Sequence, residues 1–387
     1  IVIRLHHAIS YPRIWGKLIK MACMCNRRAL FYRITGAIGA MIFVIICFYA
    51  HRMVQLKELE KAGLASPHRN YHGLSFWDMR IAQVESADLP AWLHELTLKS
   101  IFVVRPEITG LRIDPTVLNP TVIATLKGWP LNRTQHLSFG NNLLTPEQLA
   151  GFGPMPKLES LSYPHMSGDE LLPTLLELAP NCQRIDFSYS KVTGENLDLA
   201  PHLFIGLDTL DLSGTAISMN GWQTIVKLEM PELTSLSLRS AEITPEACQY
   251  IKQLPITDYL SFENSTITVE QLITLGEIES EILDLSKTKL DLVNWLNSSP
   301  PHPKIKALKL QRAKVTDTDI EAIIAKFPSL ERLELQAAAL SAESLLLLKQ
   351  LPRLEKLDLF GVLNYYTELQ ELKKTISRIS IDYAPLP

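Results

Sequence analysis

Along the carboxyl-terminal two-thirds of this 387-residue chain the hydrophobic positions repeat one figure: Leu-x-x-Leu-x-Leu, then a further hydrophobe five residues on. Leu207, Leu210 and Leu212 with Ile217 make one copy, Leu233, Leu236 and Leu238 with Ile243 another, and Ile305, Leu308 and Leu310 with Val315 a third. The last apolar residue of each copy falls at Ile113, Phe139, Tyr163, Phe187, Leu212, Leu238, Phe262, Leu285, Leu310, Leu335, Leu359 and Ile381, with gaps of 22 to 26 residues. Gaps this even do not arise by chance in a Leu-rich chain. Apolar and polar residues alternate through Leu210-Asp211-Leu212, the period-2 signature of a short strand with one buried face. A helical spacing then takes over. Thr244-Pro245-Glu246 reads as an N-cap, a proline at the first helical position and an acid near the positive helix end, with Ala247, Ile251 and Leu254 on one face. Thr145-Pro146-Glu147 repeats the signal, and Pro255 and Pro352 stop such helices. Each unit is predicted to be strand, turn and helix. None can bury its apolar face alone, so roughly three or more must stack to fold.

The copy Leu210-Asp211-Leu212-Ser213-Gly214-Thr215-Ala216-Ile217-Ser218 resembles the Leu-x-Leu-Ser-x-Thr-x-Ile-Thr unit of bacterial leucine-rich repeat proteins, related in shape to ribonuclease-inhibitor-like horseshoes. The resemblance covers about residues 93–382. It implies an α/β leucine-rich repeat solenoid, with parallel strands on the concave face and helices on the convex face. Members of that family bind unrelated partners, so the resemblance carries architecture rather than a ligand. The family's asparagine-ladder position holds Asn142, Ser190, Thr215, Ser265 and Thr288, which can bond the turn backbone. It departs to Met166, Ala241, Ala313, Ala338 and Val362, which implies a discontinuous polar spine.

Charge divides the chain. Residues 1–52 carry Arg4, Arg13, Lys17, Lys20, Arg27, Arg28, Arg33 and Arg52 and no acid, although the whole chain has a formal charge of -3. The remainder holds 30 Lys and Arg against 41 Asp and Glu, a charge of -11. Such an array lacks the clustered cations that phosphate contacts need, so nucleic acid is not an expected partner.

Ile34 to Ala50 is a run of seventeen uncharged residues, at the short end of a transmembrane helix of about 17 to 25. A cleaved signal is the alternative; Phe48 at position -3 from Ala50, and Ile46 before Cys47, suit cleavage sites badly and favour an uncleaved anchor. Gly36 and Ala40 either let two such helices pack as a homodimer or are incidental small residues. Seven cations before the span and four after it (Arg52, Lys57, Lys61, Arg69) place the amino end in the cytoplasm and export the repeats, as on the periplasmic side of a bacterial inner membrane. With Met21 as the start, only Arg27, Arg28 and Arg33 precede the span, and the bias nearly vanishes. The expected organisation is a basic tail over 1–33, one transmembrane helix over 34–50, a juxtamembrane helix and linker over 51–73, an amino-terminal cap over 74–112 and repeats over 113–387. Within the cap lie Trp77, Trp92 and an off-period copy at Leu93, Leu96 and Leu98.

Catalytic signatures are missing. The sequence has no glycine-rich phosphate loop, no Cys-x-x-Cys and no His-Glu-x-x-His, so neither a metal nor a cofactor is expected. His136 and Ser138 share a strand face with Arg184 and Asp186 two units on, yet a flat strand row offers no nucleophile elbow or oxyanion hole. An envelope hydrolase is therefore a remote alternative, and the chain reads as a non-enzyme. Cys182 and Cys248, two units apart, sit near or beyond the ~7 Å limit for a disulfide and are expected to be free buried thiols.

Binding is the remaining class. The third, fifth and seventh positions of each unit should point away from the core, because strand side chains alternate faces. The fifth runs small and acidic through Ser138, Ser162, Asp186, Asp211, Ser237 and Ser261, then carries Asp284, Lys309, Glu334 and Asp358. Many of these residues need only keep the outer face wet. Tyr259 and Phe360 are large aromatics on a polar face, and with Arg332 they combine the residue types that most often anchor interfaces. Lys309, Glu334 and Asp358 between them would set charge register for a protein or peptide partner. A cytoplasmic-facing membrane scaffold of opposite topology is the second reading.

Overall fold

The computed structural model describes residues 75–82, 105–113, 131–140, 144–335, 340–360, 366–376 and 379–384. The basic tail, the expected span Ile34 to Ala50, the juxtamembrane segment, the copy at Leu93 to Leu98, and Asn142, Ala338 and Val362 lie outside the described residues. Among the described residues no helix is long and apolar enough to cross a membrane.

The period-2 segments form one 13-stranded sheet in strict chain order. Its strands are β1 (Ser75–Ala82), β2 (Arg105–Ile113), β3 (His136–Phe139), β4 (Ser160–Ser162), β5 (Arg184–Asp186), β6 (Thr209–Asp211), β7 (Ser235–Ser237), β8 (Tyr259–Ser261), β9 (Ile282–Asp284), β10 (Ala307–Lys309), β11 (Arg332–Glu334), β12 (Lys356–Phe360) and β13 (Ser380–Ala384). β1 runs antiparallel to β2, and every later pairing is parallel. Register advances by one whole unit per strand: Leu210 faces Leu236, Leu236 faces Leu260 and Leu260 faces Leu283. All four are buried, so the expected register holds in these units; at the last strand it is off by two residues, since Ile381 pairs with Leu357 and it is Tyr383 that pairs with Leu359.

The ladder extends beyond these three-residue strands in both directions. Ahead of most strands one carbonyl accepts two N–H groups of the next unit, as Asp208 O does from Thr234 and Ser235, and Thr234 O from Asp258 and Tyr259. Past each strand the last apolar residue donates to the following unit's fifth position: Leu212 N to Ser237 O, Leu238 N to Ser261 O and Phe262 N to Asp284 O, at 2.8 to 2.9 Å. Two residues on, the chain turns through a left-handed residue at His165, Tyr189, Gly214, Ser240, Asn264, Lys287 and Arg312, with φ between 55° and 62°. Only one of these is glycine. A left-handed non-glycine residue costs roughly 1 kcal/mol or more unless its surroundings over-determine it. They do so here, because this residue's N–H reaches the next unit again: Gly214 N to Arg239 O, Ser240 N to Glu263 O, Asn264 N to Ser286 O and Lys287 N to Gln311 O, at 2.7 to 2.8 Å.

The implied polar spine is discontinuous, and the backbone makes it dispensable. Thr215 and Thr288 hydroxyls donate to the carbonyls of Leu212 and Leu285 within their own turns, whereas Ser265 Oγ is buried without a partner. The turn itself is closed by a main-chain bond from this position to the residue three before it, made equally by Thr215, Ala241, Ser265, Thr288 and Ala313. Alanine suffices because the donor is main chain.

On the far side lie α1 (Pro146–Ala150), α2 (Leu172–Leu178), α3 (Met219–Lys227), α4 (Pro245–Ile251), α5 (Val269–Leu275), α6 (Leu292–Ser298), α7 (Asp317–Lys326), α8 (Ala342–Leu347) and α9 (Tyr366–Thr375). The read N-caps hold: Thr145 and Gln148 form a capping box, and Thr244 accepts from Ala247 N behind Pro245. Among the described residues, one unit departs from the expected strand, turn and helix. Between β5 and β6 two single 3-10 turns, Leu197–Leu199 and Pro201–Leu203, replace the α-helix. Gly194 there takes φ 83°, and Pro201 removes a donor that a continuing helix would need. The thinner unit lets α3 approach until Gly221 touches the Thr193 carbonyl, where any Cβ would clash. Leu199 and Ile205 are left exposed beside it.

Cys182 and Cys248 are free and buried, as expected, and burial pushes both thiols up to about 11. Between α6 and α7 the core holds His302, fully buried, stacked on Phe327 at 5.5 Å and against Trp295 at 5.3 Å. Its Nδ1 accepts from Ile278 N at 3.4 Å, so that nitrogen is unprotonated, and Nε2 faces Ser299 Oγ at 3.3 Å. Burial, then the charge of Lys326, lowers its pKa to about 4. An unfolded histidine titrates near 6.5, so between pH 6.5 and 4 the unfolded chain binds the proton and the folded chain refuses it. As pH falls through that window, stability is therefore expected to drop by roughly 3 kcal/mol and to level off below it. Urea unfolding of the chain and of His302→Gln at a series of pH values checks this, with the variant losing most of the slope.

Candidate binding face

Residues of the third, fifth and seventh positions do stand on the face opposite the helices, but they are not uniformly exposed. Ser261, Asp284, Glu334 and Asp358 are buried beneath their larger neighbours. The acids there have two different occupations. In β5, β6 and β9 the fifth-position aspartate bends back to the N–H two residues on: Asp186 accepts from Ser188 N at 2.9 Å, Asp211 from Ser213 N at 2.8 Å and Asp284 from Ser286 N at 3.0 Å. Ser261 accepts from Glu263 N in the same way. The side chain mimics a backbone acceptor and ends the strand. Asp186 also takes the Ser162 hydroxyl at 2.8 Å, which accounts for both of its oxygens. With His136 two strands away on β3, the remote hydrolase site gains no assembled triad. Burial, with Asp186 beside it, raises the Asp211 pKa.

From β10 onward the Asp-x-Ser signature disappears, and the charges pair with one another. Arg332 Nη2 lies 2.8 Å from Glu334 Oε1 and 3.0 Å from Asp358 Oδ2. Gln311 Nε2 donates to Glu334 Oε2 at 2.6 Å, and Lys356 Nζ stands 3.7 Å from Asp358 Oδ1. Arg332 Nε and Asp358 Oδ1 are buried without a hydrogen-bond partner. Tyr259, half-buried, donates its hydroxyl to Asp284 Oδ2 at 3.3 Å, while Lys309 Nζ lies over its ring at 5.5 Å from the centroid. Burial, foremost, raises the tyrosine pKa. Ile282 and the small Ala307 lie between Tyr259 and Arg332 at the third position.

Five of the six expected binding residues thus fall into two linked groups: Tyr259 with Lys309, and Arg332 with Glu334 and Asp358. Phe360 closes β12 opposite Ala384, and its side chain is outside what is described, as is Gln336. Sequence reading missed that Glu334 and Asp358 are sunk under Arg332 rather than presented. The signal was the loss of Asp-x-Ser at Glu334 to Gln336 and Asp358 to Phe360. A cleft at the carboxyl-terminal edge of the strands is lined by Ser265, Thr268, Lys287 and Asp291, and meets this face at Lys287, which pairs with Glu263. Among the described residues no group of three or more His, Cys, Asp or Glu is placed to hold a metal.

A repeating strand-turn-helix unit, in a sheet that is parallel from β2 onward, makes this an α/β solenoid that fits the leucine-rich repeat architecture. No protein-family model matches it, and no curated protein does. Among solved structures it is similar to a leucine-rich repeat protein of Leptospira interrogans, at 16% identity over 71% of this chain and 90% of that one, with a TM-score of 0.33.

Asp284 serves both the turn and Tyr259. Asp284→Ala is expected to lower stability by about 1–2 kcal/mol, because a buried N–H and a hydroxyl lose their acceptor, and Asp284→Asn by less, since an acceptor oxygen remains. Urea midpoints for the two variants check the order.

Proposed function

We propose that this is a membrane-anchored leucine-rich repeat protein that binds a protein or peptide partner on its sheet face between β8 and β12, and that it is not an enzyme. The observation that carries the placement is the change in what the charged groups do. Through β9 the fifth-position acids hold their own turns, whereas Arg332, Glu334 and Asp358 form a pairing network that the Asp-x-Ser turns of the preceding units manage without. Tyr259, Arg332 and Phe360 serve as anchors, with Lys309 setting register and Glu334 and Asp358 holding Arg332 in place from below. Aromatic and arginine anchors packed among partly desolvated charges are the usual composition of an interface centre.

Ile34 to Ala50 would hold the chain in a membrane, with Gly36 and Ala40 able to seat a second copy, and the repeats on the exported side. The second reading, a scaffold facing the cytoplasm, draws on Met21, which as a start removes most of the charge bias. Resistance of the repeats to protease in inverted inner-membrane vesicles supports export, and their digestion supports the scaffold.

The intact protein is expected to stay with membranes through carbonate and high salt. For a partner recovered by crosslinking, Tyr259→Ala and Phe360→Ala are expected to weaken binding by about 1–2 kcal/mol each, while Gln249→Ala on exposed α4 leaves it unchanged. Titration calorimetry of the three variants checks the placement. Loss of affinity in Gln249→Ala alone would move the site to the helical side.

A further inference from the structure

The pairing network on the sheet face is layered, and the layering selects the charge of the partner. In the ion pairs of Glu263, Glu334 and Asp358 the acid lies below and the cation above, unlike Lys306 with Glu281 just ahead of the strands, where both are exposed. Arg239 and Lys287, 49% and 43% exposed, both pair with Glu263, 12% exposed. Arg332, 42% exposed, covers Glu334 and Asp358, at 3% and 8%; Lys356, 38% exposed, also faces Asp358. Lys309 leans over Tyr259, above buried Asp284. Beyond residue 52 the chain carries a formal -11, yet over Glu263, Glu334 and Asp358 an approaching surface meets the positive end of the pair. Field lines from a buried carboxylate under an exposed cation end largely within the pair, so at contact distance the outer charge dominates. Between these cations Ile282 and Ala307 leave an apolar floor, bounded by Tyr259 on one side and Arg332 three strands away, roughly 14 Å at about 4.8 Å per strand.

We infer that the partner on this face is an acidic protein segment, with Asp or Glu residues bracketing an aliphatic or aromatic side chain. The inference rests on the proposed sheet-face site and adds the chemistry of its occupant. Carboxylates of such a segment take the outer donors of Arg239, Lys287 and Lys309, while its apolar residue sits over Ile282 and Ala307 beside Tyr259. A nucleic acid is the weaker fit: the cations are individually paired, and the surrounding array is acidic, so an extended run of phosphates would be repelled around the site.

The test uses the full chain in a non-ionic detergent and arrays of peptides about 12 residues long. One pool alternates Asp or Glu with Leu, Ile, Phe or Tyr, the second carries Lys or Arg in place of the acids, and a single-stranded oligonucleotide is the third probe. The acidic pool is expected to be retained and to lose at least about tenfold in affinity between about 50 and about 500 mM NaCl. Combining Arg239→Gln, Lys287→Gln and Lys309→Gln is expected to weaken that pool by about tenfold, while charge-keeping Arg239→Lys with Lys287→Arg preserves it and guards against misfolding. Lys227→Gln with Lys252→Gln, on the helical side, is the control and should change nothing. Equal or tighter binding of the basic pool or the oligonucleotide, no retention of the acidic pool, or indifference of that pool to the triple substitution would overturn the inference. The two readings fail differently: retention of the basic pool that is lost in Tyr259→Ala keeps the sheet-face site and rejects only its acidic occupant, whereas acidic-pool retention that survives Tyr259→Ala and is lost in Gln249→Ala rejects the site itself.

Discussion

The structure depends on one kind of hydrogen bond: main-chain N–H groups that leave a unit beyond its strand and reach the carbonyls of the next. A three-residue strand offers too few ladder bonds to fix its neighbour. Continuing the ladder through the last apolar residue and then through the left-handed residue roughly doubles the coupling per unit and fixes the chain's exit. This explains why His165, Tyr189, Ser240, Asn264 and Lys287 tolerate a backbone conformation that favours glycine. It also explains why the expected side-chain spine can lapse at Ala241 and Ala313 without opening the turn.

That constraint separates scaffold from function on the sheet face. Where Asp-x-Ser recurs, the acid is consumed by the turn, and it is poor evidence for a binding surface however exposed it looks in the sequence. Where the signature lapses, from Lys309 to Asp358, the side chains engage one another, and the partly exposed Arg332 side chain is left facing outward. The Tyr259 hydroxyl links the two regimes through Asp284, which serves a turn on one oxygen and the aromatic on the other.

Much of this was legible in the sequence, for physical reasons. The strand register follows from period-2 burial at Leu210, Leu236 and Leu260, since a one-residue slip would expose them all. The caps at Thr145 and Thr244 follow from side-chain oxygens placed to meet orphan helical N–H groups. The 3-10 unit after β5 was not foreseen, because Leu197, Leu203 and Phe204 supply the same buried apolar groups that a helix would. The lapse of Asp-x-Ser marked where the acids change occupation, but not their layering, since alternation assigns a face and not a depth. Depth at Glu334 and Asp358 is set by the length of Arg332 on the neighbouring position, a three-dimensional fact.

Native-state hydrogen exchange of the turn amides tests the central claim most directly. Gly214, Ser240, Asn264 and Lys287 sit in turns at the edge of the sheet, yet their N–H groups bond the next unit. The account predicts that these four amides exchange with the same protection as Leu236 and Leu260 in the strands, opening only when the array unfolds. Exchange at the rate of exposed loops, with the strand amides still protected, would contradict it.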